Sequence, residues 1–238
     1  MTLPPVLRMM IRIATPFVVL ASLLAGAYLF FNALPDRFNP FAPLDMRDEP
    51  AGPFTTFKLN RLKGHYPSCL AALRTSGVEF APKKIASPRA ECGTDEGARL
   101  IKSGVSYGGA VEMNCAAMAA LVMWEHHVLM PAARKLGTEL SHIRSYGSYS
   151  CRNVNNASEG RLSQHATANA IDIGGFVMKD GREVSVLKHW GKETPEGEFL
   201  REARDGACGL FRGVLGPDYN QAHANHFHFD MGRWRMCR

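Results

Sequence analysis

The sequence predicts an α+β fold: a small antiparallel sheet flanked by helices and preceded by one transmembrane helix. Three observations carry this. Segments 170–173 and 226–231 alternate apolar and polar residues with a period of two, as half-buried strands do. Longer stretches near 115–130 and 199–211 are helical in composition, and no strand–helix–strand rhythm of a parallel sheet links them. Ile13 to Phe31 is a run of 19 residues without a charge. As a helix it spans roughly 28 Å, against a hydrocarbon core of about 30 Å.

Arg8 and Arg12 precede that run. The positive-inside rule keeps them in the cytoplasm and exports the chain beyond the run, and Pro16 falls in the first turns of the apolar run, where a helix tolerates it. Residues 1–31 therefore read as a cytoplasmic N-terminus and signal-anchor. Ala25-Gly-Ala27 resembles a signal-peptidase site, which leaves a cleaved signal peptide as the alternative, although Tyr28 to Phe31 continues the apolar run past it. Residues 32–53 hold prolines 35, 40, 43, 50 and 53 and little periodicity, and read as an extended, poorly packed linker. Residues 54–238 are enough for one core.

Within that domain, Cys69 to Ser76 reads as a short helix ended by Gly77. Asn114 is the expected N-cap of a long helix from Cys115 to about Met130, with Pro131 starting or kinking the next turn and Gly137 stopping it. Glu139 to Tyr149 reads as extended and Phe199 to Phe211 as helical. All six cysteines lie C-terminal to the apolar segment, and none forms a C-x-x-C pair, so disulfides are expected. Six cysteines allow fifteen pairings. The sequential one is the working expectation: Cys69–Cys92, Cys115–Cys151 and Cys208–Cys237.

The formal charge is +6, and setting aside Arg8 and Arg12 leaves +4 for the exported part. This suits an anionic cell-wall partner without requiring one, and no Lys/Arg tract points to nucleic acid. There is no G-x-S-x-G elbow, P-loop or dinucleotide fingerprint.

In Ala170-Ile-Asp-Ile173 the isoleucines share one face and Asp172 the other. In His226-Phe-His-Phe-Asp-Met231 the apolar face is Phe227, Phe229 and Met231, and the polar face is His226, His228 and Asp230. Two such strands place imidazole and carboxylate groups over one side of a sheet. With His165 seven residues before Asp172, this is a donor set for a catalytic zinc with a position left open. His226 and His228 are both candidate ligands on this reading, and Asp230 is a candidate acceptor for a ligand histidine's other N–H. His65, His126, His127, His142 and His189 are read as structural.

Leu162-Ser-Gln-His-Ala-Thr-Ala-Asn-Ala-Ile-Asp-Ile-Gly-Gly-Phe176, Gly147-Ser-Tyr-Ser-Cys-Arg152 and Tyr219-Asn-Gln-Ala-His-Ala-Asn-His-Phe-His-Phe-Asp230 resemble the bacterial extensin-like C-terminal domain family. More distantly, they resemble the LAS superfamily of zinc D-alanyl-D-alanine carboxypeptidases and murein endopeptidases. That superfamily carries S-x-H-x-x-G-x-A-x-D, matched here by Ser163, His165, Ala170 and Asp172, with Ala168 in place of the common Gly. The endopeptidase branch ends in H-x-x-H-x-H, matched by His223, His226 and His228. The Glu that the carboxypeptidase branch places three residues before its ligand His is missing.

The resemblance implies one Zn2+ ion held by His165, Asp172 and His228, with Ser163 supporting the motif. It implies His226 or His223 as the proton relay and Arg152 as a substrate or oxyanion contact. It also implies a LAS metallopeptidase-like fold and, with the anchor, a peptidase at the periplasmic face of a bacterial inner membrane acting on peptidoglycan peptides. A non-catalytic envelope-binding domain with a closed structural metal site is the alternative.

Overall fold

The protein is described by a computed structural model covering residues 4–48 and 52–238. Residues 1–3 of the expected cytoplasmic segment and 49–51 of the expected linker, Pro50 among them, lie outside the described residues. Helix α1 (Pro5–Ala33) has 29 residues, none of them buried. It is long and apolar enough to cross a membrane. It starts earlier than the uncharged run, so Pro16 falls in its interior rather than its first turns, and it continues two residues beyond Phe31.

Residues 32–48 are not the poorly packed tether expected. Leu44 and Met46 are buried. The Met46 N–H donates to Thr75 Oγ1 at 2.8 Å, and its carbonyl lies 2.8 Å from His127 Nε2. Lys58 Nζ donates to the Asp36 carbonyl at 2.6 Å. Prolines remove regular structure here, but they leave the apolar side chains between them free to pack. That packing depends on partners distant in sequence, and composition does not reveal them.

Helices α2 (Thr55–Arg61) and α3 (Tyr66–Thr75) open the domain. A three-stranded antiparallel sheet comes next, ordered β1 (Glu79–Pro82), β2 (Gly97–Lys102), β4 (Glu112–Asn114), with β3 (Ser106–Tyr107) leaving for the main sheet. Helix α4 (Cys115–Trp124) is capped as expected, Asn114 Oδ1 accepting from the Ala116 N–H at 3.2 Å. Every residue of α4 is buried, which explains why it is apolar on all sides. The expected break before Pro131 takes the form of one π turn, Glu125–Leu129, after which α5 (Met130–Lys135) resumes and Gly137 ends the run at φ +76°.

The main sheet contains β5 (Leu140–Gly147), β6 (Ala170–Met178), β7 (Glu183–Ser185), β8 (Gly213–Leu215), β9 (Phe227–Asp230) and β10 (Met236–Cys237). Its order is β10-β8-β9-β6-β5-β3, with β7 also paired to β6. The centre is antiparallel, and short parallel pairs extend both edges, β3 with β5 and β10 with β8. Helices α6 (Val186–His189) and α7 (Pro195–Leu210) lie between β7 and β8 in sequence.

The backs of β6 and β9 meet the helices. The Phe229 ring lies 5.0 Å from Trp124 and 5.1 Å from Phe211, and Trp124 Nε1 donates to the Ala203 carbonyl of α7 at 2.8 Å. With that apolar face buried, a one-residue slip of β9 would drive His228 into the core, so the register is strongly specified.

Of the expected disulfides, Cys208–Cys237 is present, joining α7 to β10. The other two are corrected to Cys69–Cys115 and Cys92–Cys151. Helix α3 packs beside the start of α4, which brings the Cα atoms of Cys69 and Cys115 to 6.1 Å. Cys92 instead meets the loop after β5, its Cα 5.6 Å from that of Cys151.

Candidate metal centre

Strands β6 and β9 pair so that Asp172 stands directly opposite His228, with Ile171 opposite Phe229 and Ile173 opposite Phe227. The third group arrives from the turn before β6. Ser163 begins a single 3-10 turn, Gln164–Thr167, its Oγ accepting the His165 N–H at 3.3 Å. Ala168 ends the turn in the left-handed region at φ +53°. Ala168 thus holds a left-handed backbone conformation that favours glycine. This delivers His165 to the head of the strand pair.

Three atoms converge there: His165 Nε2, Asp172 Oδ1 and His228 Nδ1. They are 3.1 Å apart between His165 and His228, 3.1 Å between His165 and Asp172, and 2.9 Å between His228 and Asp172. Both histidines are buried, and only 13% of the Asp172 side chain is exposed.

The opposite ring nitrogens are already committed. His165 Nδ1 lies 3.2 Å from the Ser148 carbonyl, and His228 Nε2 lies 3.2 Å from Asp230 Oδ2. Both partners only accept, so the protons sit on those far nitrogens and the near nitrogens present lone pairs. Three acceptors facing one another in a buried pocket need a positive charge between them. Without a metal the charge is a proton. Burial opposes it, but hydrogen bonds to Asp172 and Asp230 outweigh burial and raise His228 to about 9. Burial likewise opposes ionisation of Asp172, and its bonds to His165 and His228 reverse this and hold its carboxyl far below the usual range.

The donor set fits zinc. Around a tetrahedral zinc, neighbouring N and O ligands sit about 3.3 Å apart. The observed triangle needs to open by only a few tenths of an ångström. Both histidines also have the outer acceptor that orients a ligand imidazole.

His226 lies just before β9 rather than on it, yet its Nε2 is 3.7 Å from Asp172 Oδ1. His223 lies in a 3-10 turn, its ring 5.2 Å from His226 and 5.8 Å from His228. Their Nδ1 atoms donate to Asn220 Oδ1 (His223, 2.7 Å) and Asn225 Oδ1 (His226, 2.8 Å), leaving each Nε2 as the basic atom. Burial, then the charge of His228 and His226, pushes His223 down to about 4. Burial also lowers His226, partly offset by Asp172, with His228, His165 and Arg152 adding to the fall. Both imidazoles are neutral at pH 7 and can accept a proton. Arg152 is close enough for its charge to act on His226, and its guanidinium has no hydrogen bond or ion pair to the described residues.

Sequence reasoning missed two contributors. Ser148 acts through its carbonyl, which no side-chain pattern reveals. Tyr146, 60% exposed, sets its ring 5.9 Å from His226, and a Cβ on Gly174 would come within 2.2 Å of that ring. The alternation of β5, together with a glycine at 174, was the available signal.

No curated protein and no solved structure matches the chain. A family model does, over residues 67–238, which include every residue of the centre. The chain belongs to the family described as extensin-like protein C-terminus.

Proposed function

We propose that the protein is a membrane-anchored zinc hydrolase, facing the periplasm, that cleaves peptide bonds in peptidoglycan stem peptides or cross-links. The observation that carries the chemistry is the convergence of three acceptor atoms whose far ring nitrogens are already committed. His165, Asp172 and His228 would hold the ion. Zinc, when bound, supplies a Lewis acid for a carbonyl and a water acidic enough to react near neutral pH.

The chain's own residues supply the rest. His226 Nε2, and behind it His223 Nε2, accept the proton the nucleophile loses and return it to the leaving amine. Arg152, whose charge reaches His226, offers two N–H donors to a carbonyl oxygen as it gains charge, or to a substrate carboxylate. Asp230 and the Ser148 carbonyl keep the two imidazoles oriented. The wall-peptide substrate is supported by the LAS-like spacing of His165, Asp172, His223, His226 and His228. The membrane location is supported by α1 and by Arg8 and Arg12 at its start.

The 3.7 Å approach of His226 to Asp172 favours a second reading. In it, His226 swings in as a fourth protein ligand, closes the shell and leaves a structural site in a wall-binding domain.

Mass spectrometry of defined muropeptides, incubated with the zinc-loaded full chain in detergent and with His228→Ala as control, separates the two. New fragments that vanish in the variant support the hydrolase, and their masses identify the bond. Intact muropeptides with one tightly bound zinc per chain favour the closed site.

A further inference from the structure

The last seven residues form a strap that the metal centre does not use. It carries Arg233, Arg235 and Arg238 and no acidic side chain. Trp234 is 69% exposed, the Arg233 guanidinium stands 5.6 Å from its ring centre, and its indole N–H has no partner among the described residues. The backbone around this tryptophan is well held. Arg212 donates to the Arg233 carbonyl at 2.7 Å, the Met236 N–H donates to the Arg212 carbonyl at 2.8 Å, and Cys237 is disulfide-bonded to α7. An exposed indole on a fixed backbone, flanked by two arginines, is an ordered feature of the surface rather than a frayed end.

Its position gives it a partner. Phe31, near the end of α1, packs against Phe54 with ring centres 6.1 Å apart, and α2 begins at the next residue. From there α2 runs about 10 Å. Just past its end, Lys63 Nζ donates to the Gly232 carbonyl at 3.3 Å, where the strap starts. The strap and the exit of α1 thus lie at opposite ends of one short helix. Along it Phe57 is 49% exposed with the Arg61 guanidinium 5.8 Å from its ring centre, and α2 bears no acidic residue. Aromatic rings paired with cations beside a transmembrane exit are what the headgroup layer of a bilayer accommodates, the ring at the apolar boundary and the cation on a phosphate.

We infer that the strap around Trp234, with Phe57 and Arg61 of α2, docks on the anionic phospholipid headgroups of the bilayer that α1 crosses, fixing the domain against the membrane. This rests on α1 being an anchor, and separate measurements report on the anchor and on the strap.

The full chain is reconstituted into vesicles of phosphatidylcholine alone or mixed with phosphatidylglycerol, each with and without brominated acyl chains. Trp124 is fully buried and Trp190 half-buried, so the emission lost in Trp234→Phe isolates the strap. Docking predicts that this component is quenched by brominated lipid when phosphatidylglycerol is present. Replacing both flanking arginines (Arg233→Gln, Arg235→Gln) should lower the docked-to-free ratio roughly thirty-fold. An unquenched Trp234 component overturns the inference, as does equal quenching in phosphatidylcholine alone. Alkaline carbonate extraction of the same vesicles reports on the anchor. Release of the chain refutes α1 as a spanning helix, whereas quenching that persists in the washed-off protein on re-addition upholds the strap on its own.

Discussion

Zinc is expected to compete with one proton for His228. In the metal-free protein that imidazole titrates at about 9, because Asp172 and Asp230 both bond it. At pH 7 it is therefore protonated, and the metal must expel the proton from Nδ1 to bind there. Two pH units below the pKa, this costs about 3 kcal/mol, or roughly a hundred-fold in apparent affinity. Asp172 adds no slope, since its carboxyl is ionised throughout this range. The apparent zinc affinity should rise about tenfold per pH unit from pH 7 and level off near 9. Chelator competition at a series of pH values measures the slope. Calorimetry in two buffers of different protonation enthalpy counts the protons, and one per zinc is expected at pH 7. A flat affinity between pH 7 and 9, or no proton released, would refute the reasoning that the three converging atoms share a proton. The same linkage has a sign in the metal-free protein. A raised histidine pKa stabilises the fold fully below its ordinary value of 6.5, and that contribution is lost as pH rises through about 9. Thermal melts of the metal-free protein should fall across that window, and those of the zinc form should not.

Asp230→Asn keeps the shape but weakens the acceptor on His228 Nε2. Zinc affinity at about pH 9, where the proton no longer competes, should drop roughly 10- to 100-fold by the same chelator competition, while the rise between pH 7 and 9 should shrink because His228 loses a partner that raises its pKa. Replacing Cys92 and Cys151 with serine opens a link between residues 59 apart. The expected loss is about 4 kcal/mol in denaturant unfolding, and a loss below about 1 kcal/mol would show that the loop holding Ser148 and Arg152 is fixed by other contacts. Met46→Ala should cost about 2–5 kcal/mol in denaturant unfolding, because Met46 is buried in the core, and a loss near zero would refute that packing. Ala168→Gly relieves a left-handed alanine worth about 1–2 kcal/mol but removes a buried methyl worth about 0.8 kcal/mol. Stability should therefore change by less than about 1.5 kcal/mol, and a large loss would mean that the methyl supports His165 directly.

Elements with a strong period were legible from residues alone. The alternation at 170–173 and 226–231 placed Asp172 and His228 on polar faces, and Asn114 marked a helix start that its side chain caps. The disulfides were not legible. Cys69 and Cys92 are nearer in sequence than Cys69 and Cys115, yet pairing obeys the packing of α3 on α4. The Pro-rich stretch misled for a related reason. Its composition reports on local backbone preference, whereas the burial of Met46 depends on Thr75 and His127, which are distant in sequence.

By itself the sequence determined the membrane-length apolar helix, the helix and strand periods, and the residue types available to a metal, because these depend on neighbours within a turn or a strand. Only the tertiary structure decided that Asp172 faces His228 across two paired strands, that Ser148 and Asp230 take the outer imidazole nitrogens, and that the C-terminal strap and the exit of α1 flank the two ends of α2. The first of these comes from burying the apolar face of the sheet against α4 and α7, a packing that sets the register of β9 on β6 and brings together two residues 56 apart in sequence.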